Sequence, residues 1–183
     1  MSNKTLIAYY SRSGENYMNG SVTWLPVGNT KLAAEILKEI LGADIFQIRP
    51  VREYSENYYK CIDEAKQDLY RNRRPEIVKG PKRPEDYSTI YLGYPNYWGT
   101  IPMPVATFLE TYDLAGKVIK PFCTHEGSGM GRSEADIRKL CPDSIVMQGL
   151  ALRGGSAPRE ISAIQDWVEE AISEFAGQKA AAI

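Results

Sequence analysis

The chain has 183 residues, 43% of them hydrophobic, a length sufficient to bury about 70% of the unfolded surface in one core. Its 22 basic and 23 acidic side chains leave a formal net charge of -1, so no large electrostatic field attracts nucleic acid or an anionic membrane. We therefore expect one domain over residues 1–176, a frayed tail at 177–183, and neither a nucleic-acid nor a membrane partner.

Three cysteines and one histidine limit the possible disulfide and metal chemistry. Cys61, Cys123 and Cys141 contain no CxxC pair and are odd in number, which is typical of neither a disulfide framework nor a zinc site. The apolar run near the N-terminus is too short for a signal sequence, and no segment approaches 18 apolar residues. These features predict reduced thiols in a cytoplasmic protein without a bound metal.

Short apolar runs alternate with helical patterns along the chain, and this alternation predicts an α/β protein. The predicted strands are nearly continuous in apolar residues, as strands covered on both faces must be, and they comprise residues 5–10, 44–48, 89–94, 118–124 and 144–150. Helical periodicity predicts helices over residues 29–41, 56–72, 104–112, 133–141 and 159–175. Two segments, 15–27 and 73–87, interrupt this alternation.

The loop after the first predicted strand has the composition of a phosphate site. Ser11 and Ser13 offer hydroxyl groups, and Gly14 allows close approach of the backbone. Asn29 and Thr30 begin a helix whose free N–H groups and positive dipole end favour an anion. The loop has neither a Walker lysine nor a G-x-G-x-x-G pattern, so a monophosphate suits it better than a triphosphate or a dinucleotide. The same residues also serve as ordinary turn and cap residues.

Two further loops follow predicted strands and would lie at the same edge of a parallel sheet. In residues 93–104, Tyr97 and Trp98 could stack on a planar heterocycle or pack the loop onto the core. In residues 123–133, three glycines and Ser128 expose backbone N–H groups that could bond ligand carbonyls. His125 is either a satisfied polar residue at a strand end or a functional group.

In this order, "YYSRSG" with "GNT", "GYPNYWGTIP" and "CTHEGSGMG" resemble the flavodoxin family over nearly the whole chain. The resemblance implies a three-layer sandwich around a five-stranded parallel sheet of order 2-1-3-4-5, with non-covalent FMN at its carboxyl edge. The flavin would be the active group, without a catalytic side chain. The resemblance assigns the phosphate to Ser11, Arg12, Ser13, Asn29 and Thr30, the isoalloxazine to Pro95, Asn96, Tyr97, Trp98 and Gly99, and its pyrimidine side to Thr124, His125, Glu126, Gly127, Ser128 and Gly129.

Residues 15–27 depart from the family pattern, in which the helix follows the phosphate loop directly. We expect one phosphate cradle split by this insertion, because closing such a loop costs only a few kcal/mol by loop-entropy scaling. Within the insertion, Met18, Trp24, Leu25 and Pro26 are expected to fold back over neighbouring surface near the flavin. The near-neutral charge is a second departure, since carriers of this family are strongly acidic.

Three functions remain open from the sequence. The first is an FMN protein that exchanges electrons with a redox partner protein. The second is an NAD(P)H-dependent FMN reductase acting on quinones or similar small acceptors. The third is a binding module of the same fold without redox activity.

Overall fold

Strand β1 (Lys4–Tyr9) lies in the middle of a parallel sheet, because its apolar side chains from Leu6 onward are buried from both faces. The computed structural model describes residues 4–81 and 83–170. The later parts of the predicted last helix and the predicted tail at 177–183 lie outside the described residues.

The other strands and helices follow in chain order, and the described bounds of the helices lie within a few residues of the predicted bounds. They are β2 (Gly14–Met18), β3 (Ser21–Leu25), α1 (Asn29–Leu41), β4 (Asp44–Gln47), α2 (Tyr58–Tyr70), β5 (Tyr87–Pro95), α3 (Met103–Thr111), β6 (Val118–His125), α4 (Ser133–Leu140), β7 (Ile145–Val146), β8 (Leu150–Arg153) and α5, described over residues 161–170. Among the described helices, none is long and apolar enough to cross a membrane.

The main sheet runs β4-β1-β5-β6, and β7 and β8 share the next position, all in parallel. This arrangement confirms the predicted order 2-1-3-4-5. Leu6 packs with Phe108 of α3 on one face of the sheet. Ile7 packs with Leu37 of α1 and Trp167 of α5 on the other face. Helices therefore cover both faces, and the three-layer α/β architecture is confirmed.

The fifth position in the sheet differs from the single strand predicted over residues 144–150. Strands β7 and β8 pair with Ile119 and Phe122 of β6 respectively, so three residues, 147–149, lie opposite the two residues 120 and 121. Pro121 has no N–H to donate to a ladder. The N–H of Gly149 instead donates to the Glu134 carboxylate of α4. The extra residue and the missing donor account for the break.

The insertion forms an antiparallel hairpin, β2–β3, which was not predicted from the sequence. Gly14 pairs with Leu25 at its base, so the two ends of the insertion return to each other. Asn19 and Gly20 form its tip with φ angles of 52° and 89°. Positive φ at both central residues is the geometry for which Asn-Gly is preferred in two-residue hairpins.

The four insertion residues expected to fold back behave differently from one another. Trp24 is 59% exposed and Pro26 is also exposed, so the expectation is wrong for these two residues. Leu25 is half-buried. The Sδ atom of Met18 lies 3.9 Å from Nδ2 of Asn29, which places Met18 against the start of α1. Alternation along the hairpin explains the difference, because Trp24 and Met18 lie on opposite faces.

The three cysteines are free and buried, and Cys123 gives the fold a testable pH dependence. Burial raises the pKa of Cys123 to about 12, whereas an unfolded thiol ionises near pH 8.5. Since the folded pKa is the higher one, this contribution to stability is intact below about pH 8.5 and is lost as the pH rises toward 12. We expect the free energy of unfolding, measured by urea titration, to fall by up to about 1.4 kcal/mol per pH unit for this thiol above pH 8.5.

The matched variant for this prediction is Cys123→Ala, which removes the titrating group. Its absolute stability should be lower because a buried side chain is truncated. The informative quantity is the slope of unfolding free energy against pH between 8.5 and 9.5. An identical slope in the wild type and in Cys123→Ala would contradict the assignment.

Candidate functional site

A cleft of about 450 Å³ opens at the carboxyl edge of the main sheet. Loops after β1, β5 and β6 meet there, as the carboxyl ends of parallel strands require. Of the sequence-predicted site residues, those lining the cleft are Ser11, Arg12, Asn29, Thr30, Pro95, Asn96, Tyr97, Trp98, Gly99, Thr124, His125, Glu126 and Ser128. Three predicted residues are not part of its lining, namely Ser13, Gly127 and Gly129.

Two segments separated by the hairpin form one end of the cleft. The Ser11 hydroxyl accepts a hydrogen bond from the N–H of Lys31 in the first turn of α1, at 3.1 Å. A side chain at Gly28, the residue before this helix, would overlap both the Ser11 hydroxyl and the Arg12 carbonyl. Only glycine therefore lets the loop after β1 approach the N-terminus of α1 so closely. The two segments that the insertion separates therefore lie together as expected, and phosphate binding by them stays a prediction.

The first turn of α1 supplies the groups that an anion needs. The N–H groups of Lys31 and Leu32 already donate, to the Ser11 hydroxyl and the Gly28 carbonyl. Those of Asn29 and Thr30, at the positive end of the helix dipole, are the ones available to an anion. Asn29 and Thr30 both line the cleft. The Thr30 hydroxyl lies 2.7 Å from that of Thr124, which connects this helix to the end of β6 in a buried position. This end of the cleft is polar and positively polarised.

The Arg12 side chain is directed at backbone carbonyls. Its guanidinium group donates to the carbonyls of Ser55 (2.7 and 3.1 Å), Glu56 (2.6 Å) and Glu15. Four donor contacts of this kind hold the loop before α2 against the base of the hairpin. The role of Arg12 as a phosphate ligand stays a prediction, while its role in joining these segments is structural. The Ser13 side chain is exposed.

The loop after β5 is a tight turn that presents Trp98. Tyr97 and Thr100 pair across the turn, and Trp98 and Gly99 between them have φ angles of 56° and 79°. A positive φ costs a residue such as Trp98 about 1 to 3 kcal/mol. Opposing this strain, the Asn96 side chain accepts from the N–H of Gly99 at 2.9 Å and donates to the Gly129 carbonyl at 2.8 Å.

Helix α2 fixes the indole of Trp98. Its ring N–H donates to the Ile62 carbonyl at 2.9 Å, and the Lys66 ammonium lies 4.8 Å from the ring centroid. The indole remains 44% exposed. Trp98 therefore offers a fixed aromatic surface at the cleft, which fits the stacking role, one of the two roles that the sequence left open for it.

Tyr97 has a different role from its neighbour. Its ring packs edge-on against Tyr10 at 6.0 Å, and its hydroxyl lies 3.8 Å from the sulfur of Cys61. Burial, followed by the charge of ionised Tyr10, raises the pKa of the Tyr97 phenol well above its usual value. The ring is partly buried against the core, so loop packing describes Tyr97 better than free stacking.

The side chains after β6 are engaged with the protein. His125 Nδ1 accepts a hydrogen bond from the N–H of Gly127 at 2.9 Å. Of the two alternatives that the sequence left open, this contact favours a satisfied polar residue at a strand end over a functional group. The Glu126 carboxylate accepts from the N–H of Asn19 at 2.9 Å and from that of Gly155 at 3.0 Å. Glu126 thereby ties the hairpin tip to the loop after β8.

Six lining residues were missed by the sequence interpretation: Asn16, Tyr17, Tyr58, Ile62, Ala65 and Gly154. Three of them share one face of α2, since 58, 62 and 65 are spaced i, i+4 and i+7. That periodicity was available from the sequence, but it does not show which face turns toward the cleft. Asn16 and Tyr17 depend on the hairpin. Among the described residues, no group of three or more His, Cys, Asp or Glu side chains could hold a metal ion.

The donor set fits FMN. Its phosphate matches the segments that meet at Gly28, and its planar ring matches the aromatic surface of Trp98 in the same cleft. The volume lies within the range of small-molecule and cofactor sites. The cleft thus offers one site for a phosphate and a flat heterocycle together.

Comparisons with known proteins agree with this geometry. The model of the Flavodoxin family matches residues 4–171. A protein from Bacteroides eggerthii assigned as a flavoprotein is 27% identical, with a TM-score of 0.74 over 92% of this chain and 97% of that chain. A Lactobacillus acidophilus flavoprotein solved in complex with FMN is 25% identical, with a TM-score of 0.64 over 88% of this chain and 99% of that chain. None of the curated proteins compared with the chain matches it significantly.

Proposed function

The chain belongs to the flavodoxin family, and we propose that it binds FMN non-covalently in the cleft and exchanges electrons with a redox partner. The observation that carries this proposal is the meeting of a phosphate cradle and a fixed aromatic surface in one cleft. Bound FMN supplies electron transfer in one- or two-electron steps. The side chains therefore bind and orient the cofactor, and no catalytic side chain is assigned.

At the polar end, the first turn of α1 binds the phosphate through backbone N–H groups and the helix dipole. The buried contact between Thr30 and Thr124 holds that turn at the end of β6. At the other end, Trp98 orients the ring by stacking and covers one part of it from water. The link from Asn96 to Gly129 keeps the two loops beside the ring at a fixed separation.

A second candidate is an NAD(P)H-dependent reductase of small acceptors. The specific observation in its favour is the hairpin, which adds Asn16 and Tyr17 to the lining of the cleft and so extends the binding surface beyond the three loops. With a formal net charge of -1, the chain also lacks the strong negative field that steers an electron carrier to a basic partner, which favours the reductase.

The first test is cofactor loading. When apo-protein is added to FMN, flavin fluorescence should be quenched, and the quenching should saturate at one FMN per chain. Trp98→Ala should raise the dissociation constant for FMN about tenfold, an effect consistent with loss of stacking and of buried aromatic area. Trp24→Ala is the matched control, since this exposed indole lies outside the cleft lining, and its affinity should equal that of the wild type. Absence of FMN binding in the wild type would refute the proposal.

The second test separates the two candidates. The FMN-loaded protein is titrated anaerobically with NADPH and then with dithionite while flavin absorbance is followed. Bleaching by stoichiometric NADPH supports the reductase. No change in flavin absorbance with NADPH, followed by two resolved one-electron reductions with dithionite, supports the electron carrier.

A further inference from the structure

Strand β3 of the hairpin has a free edge. The hairpin is a two-stranded sheet in which β3 pairs with β2 alone. The outer edge of β2 is covered, since the N–H of Glu15 donates to the carbonyl of Glu56 at 3.1 Å and the carbonyl of Glu15 accepts from Arg12. Within the described residues, no backbone hydrogen bond reaches the outer edge of β3. One edge of the hairpin therefore lies against the loop before α2, and the other edge is open.

The free backbone groups on this edge belong to Val22 and Trp24. Glu15 pairs with Trp24, yet both backbone groups of Glu15 bond away from the hairpin. In an antiparallel ladder this marks a non-hydrogen-bonded pair, whose other member points its own N–H and C=O outward on the opposite side. Tyr17 and Val22 are the next pair of the same type, because the two types alternate. Strand β3 thus presents two donors and two acceptors at its open edge.

The edge lacks the features that protect exposed strands from pairing. Residues 21–25 have the sequence SVTWL, with no charged residue, proline or glycine, and Pro26 follows only where the strand has ended. β-Branched and aromatic residues favour extended chain. Natural proteins usually block an exposed edge with lysine, proline or a bulge. Strand β3 is therefore suited to accept another strand.

The side chains of β3 are also open to solvent on one face of the hairpin. Trp24 is 59% exposed and Val22 is 36% exposed, and both lie on the same face because side chains alternate along a strand. The opposite face carries hydroxyl groups, with the side-chain oxygens of Ser21 and Thr23 3.5 Å apart. A strand added at the open edge would cover part of the exposed apolar area.

Strand β3 is complementary to a second copy of itself. In an antiparallel pair centred on Thr23, Val22 of each copy lies opposite Trp24 of the other, and these are the residues with free backbone groups. Each of the two pairs exchanges two hydrogen bonds. Aromatic and β-branched residues are favourable cross-strand neighbours, and so are the two threonines that meet at the centre. One twofold axis through Thr23 thus satisfies the backbone and the side chains together.

Charge and size indicate what kind of partner fits this edge. A partner of either charge would find no counter-charge on β3, whereas a second copy needs none and brings no like charges opposite each other. The Glu15 carboxylate on β2 is already bound to the Asn57 side chain and the N–H of Tyr58. A strand of five residues is short beside the roughly 20 to 30 residues a side of a standard interface. The resulting contact should be weak and depend on protein concentration.

We propose that β3 pairs with β3 of a second copy of this chain, antiparallel and centred on Thr23, so that two hairpins form a four-stranded sheet in a twofold-symmetric dimer. Such an interface uses the same surface patch on both subunits, as in the commonest class of symmetric assembly. The pairing does not depend on flavin binding. It gives the insertion a role in assembly.

Sedimentation equilibrium from about 1 μM to about 1 mM, with and without added FMN, should show a monomer in equilibrium with a dimer. Thr23→Lys brings two like charges together at the axis, so it should raise the dimer dissociation constant at least about tenfold, and Thr23→Glu should do the same. An equimolar mixture of the two variants should recover the wild-type constant within about threefold, because lysine then faces glutamate. This recovery also shows that both variants fold.

Ser21→Lys is the matched control for the added charge. The residue is exposed on the same strand, but in the paired strands its two copies lie four positions apart, about 14 Å. That separation exceeds the screening length of about 8 Å at physiological ionic strength. The dimer dissociation constant of Ser21→Lys should therefore stay within about threefold of the wild type.

Hydrogen exchange locates the contact along the strand. The amides of Val22 and Trp24 should exchange at least about fivefold more slowly when most of the protein is dimeric. The amide of Thr23, in the hydrogen-bonded pair with Asn16 of β2, should not change. Exchange at Val22 and Trp24 that is independent of concentration would overturn the pairing.

Three results of the sedimentation experiment would also overturn it. A wild type that stays monomeric would leave the open edge to a different protein. A dimer unaffected by Thr23→Lys would place the contact on another surface. A mixture of Thr23→Lys and Thr23→Glu that associates no better than either variant alone would exclude the twofold register. Failure of the chain to bind FMN would remove the proposed function and leave the dimer untouched.

Discussion

Replacing Gly28 by alanine is expected to weaken FMN binding by at least about tenfold. The added methyl group would overlap the Ser11 hydroxyl and the carbonyl of Arg12. The hydroxyl can rotate, but the carbonyl belongs to the backbone, so the loop after β1 has to move away from α1. That movement opens the cradle and breaks the contact between Ser11 and the N–H of Lys31.

The same substitution should lower the free energy of unfolding by about 1 to 3 kcal/mol, the usual cost of overpacking. Comparing FMN with riboflavin locates the defect, because only FMN carries the phosphate. Gly28→Ala should reduce affinity for FMN far more than affinity for riboflavin. Ser13→Ala is the control, since Ser13 lies in the same loop, is exposed and is outside the cleft lining. Unchanged FMN affinity in Gly28→Ala would show that the phosphate binds elsewhere.

The sequence was sufficient to predict the fold because strands covered on both faces are nearly continuous in apolar residues. It was insufficient where a side chain outside the strand changes the hydrogen bonding. The break between β7 and β8 depends on Glu134 of α4 accepting from Gly149, opposite a proline in β6. Periodicity within residues 144–150 contains no information on that contact. The hairpin is a different case, since Asn19-Gly20 is a recognised turn signal from which it could have been predicted.

The cleft lining was predictable where it follows from strand ends, and most residues of the three loops do line it. The direction of individual side chains was not predictable. Tyr97 and Trp98 are adjacent in an aromatic loop, yet Tyr97 is partly buried against the core while Trp98 is exposed. The turn geometry at Trp98 and Gly99 sets this difference. The rings of Tyr17 and Tyr58 stack although the two residues are 41 positions apart in the sequence, because the hairpin lies against α2, a contact that no local pattern predicts.

Replacing Arg12 by alanine should lower the free energy of unfolding by about 3 kcal/mol, given that hydrogen bonds to charged groups contribute about 1.5 to 3 kcal/mol each and are not additive. Three backbone carbonyls, on Glu15, Ser55 and Glu56, would lose their donor. Arg12→Lys should restore little of this loss, because an ammonium cannot reproduce the planar fork of a guanidinium. Urea unfolding gives the measurement, and Arg52→Ala, an exposed arginine before α2, should be neutral.

Flavin affinity then decides which role of Arg12 dominates. If Arg12 acts mainly by holding the hairpin base against the loop before α2, Arg12→Ala should weaken FMN and riboflavin by similar factors of about ten, since the whole cleft loosens. If the guanidinium contacts the phosphate, FMN should weaken while riboflavin does not. Because the four observed donor contacts go to carbonyls, we expect the parallel loss. A loss confined to FMN would restore the phosphate role that the sequence predicts and would place the remaining guanidinium N–H in contact with the phosphate.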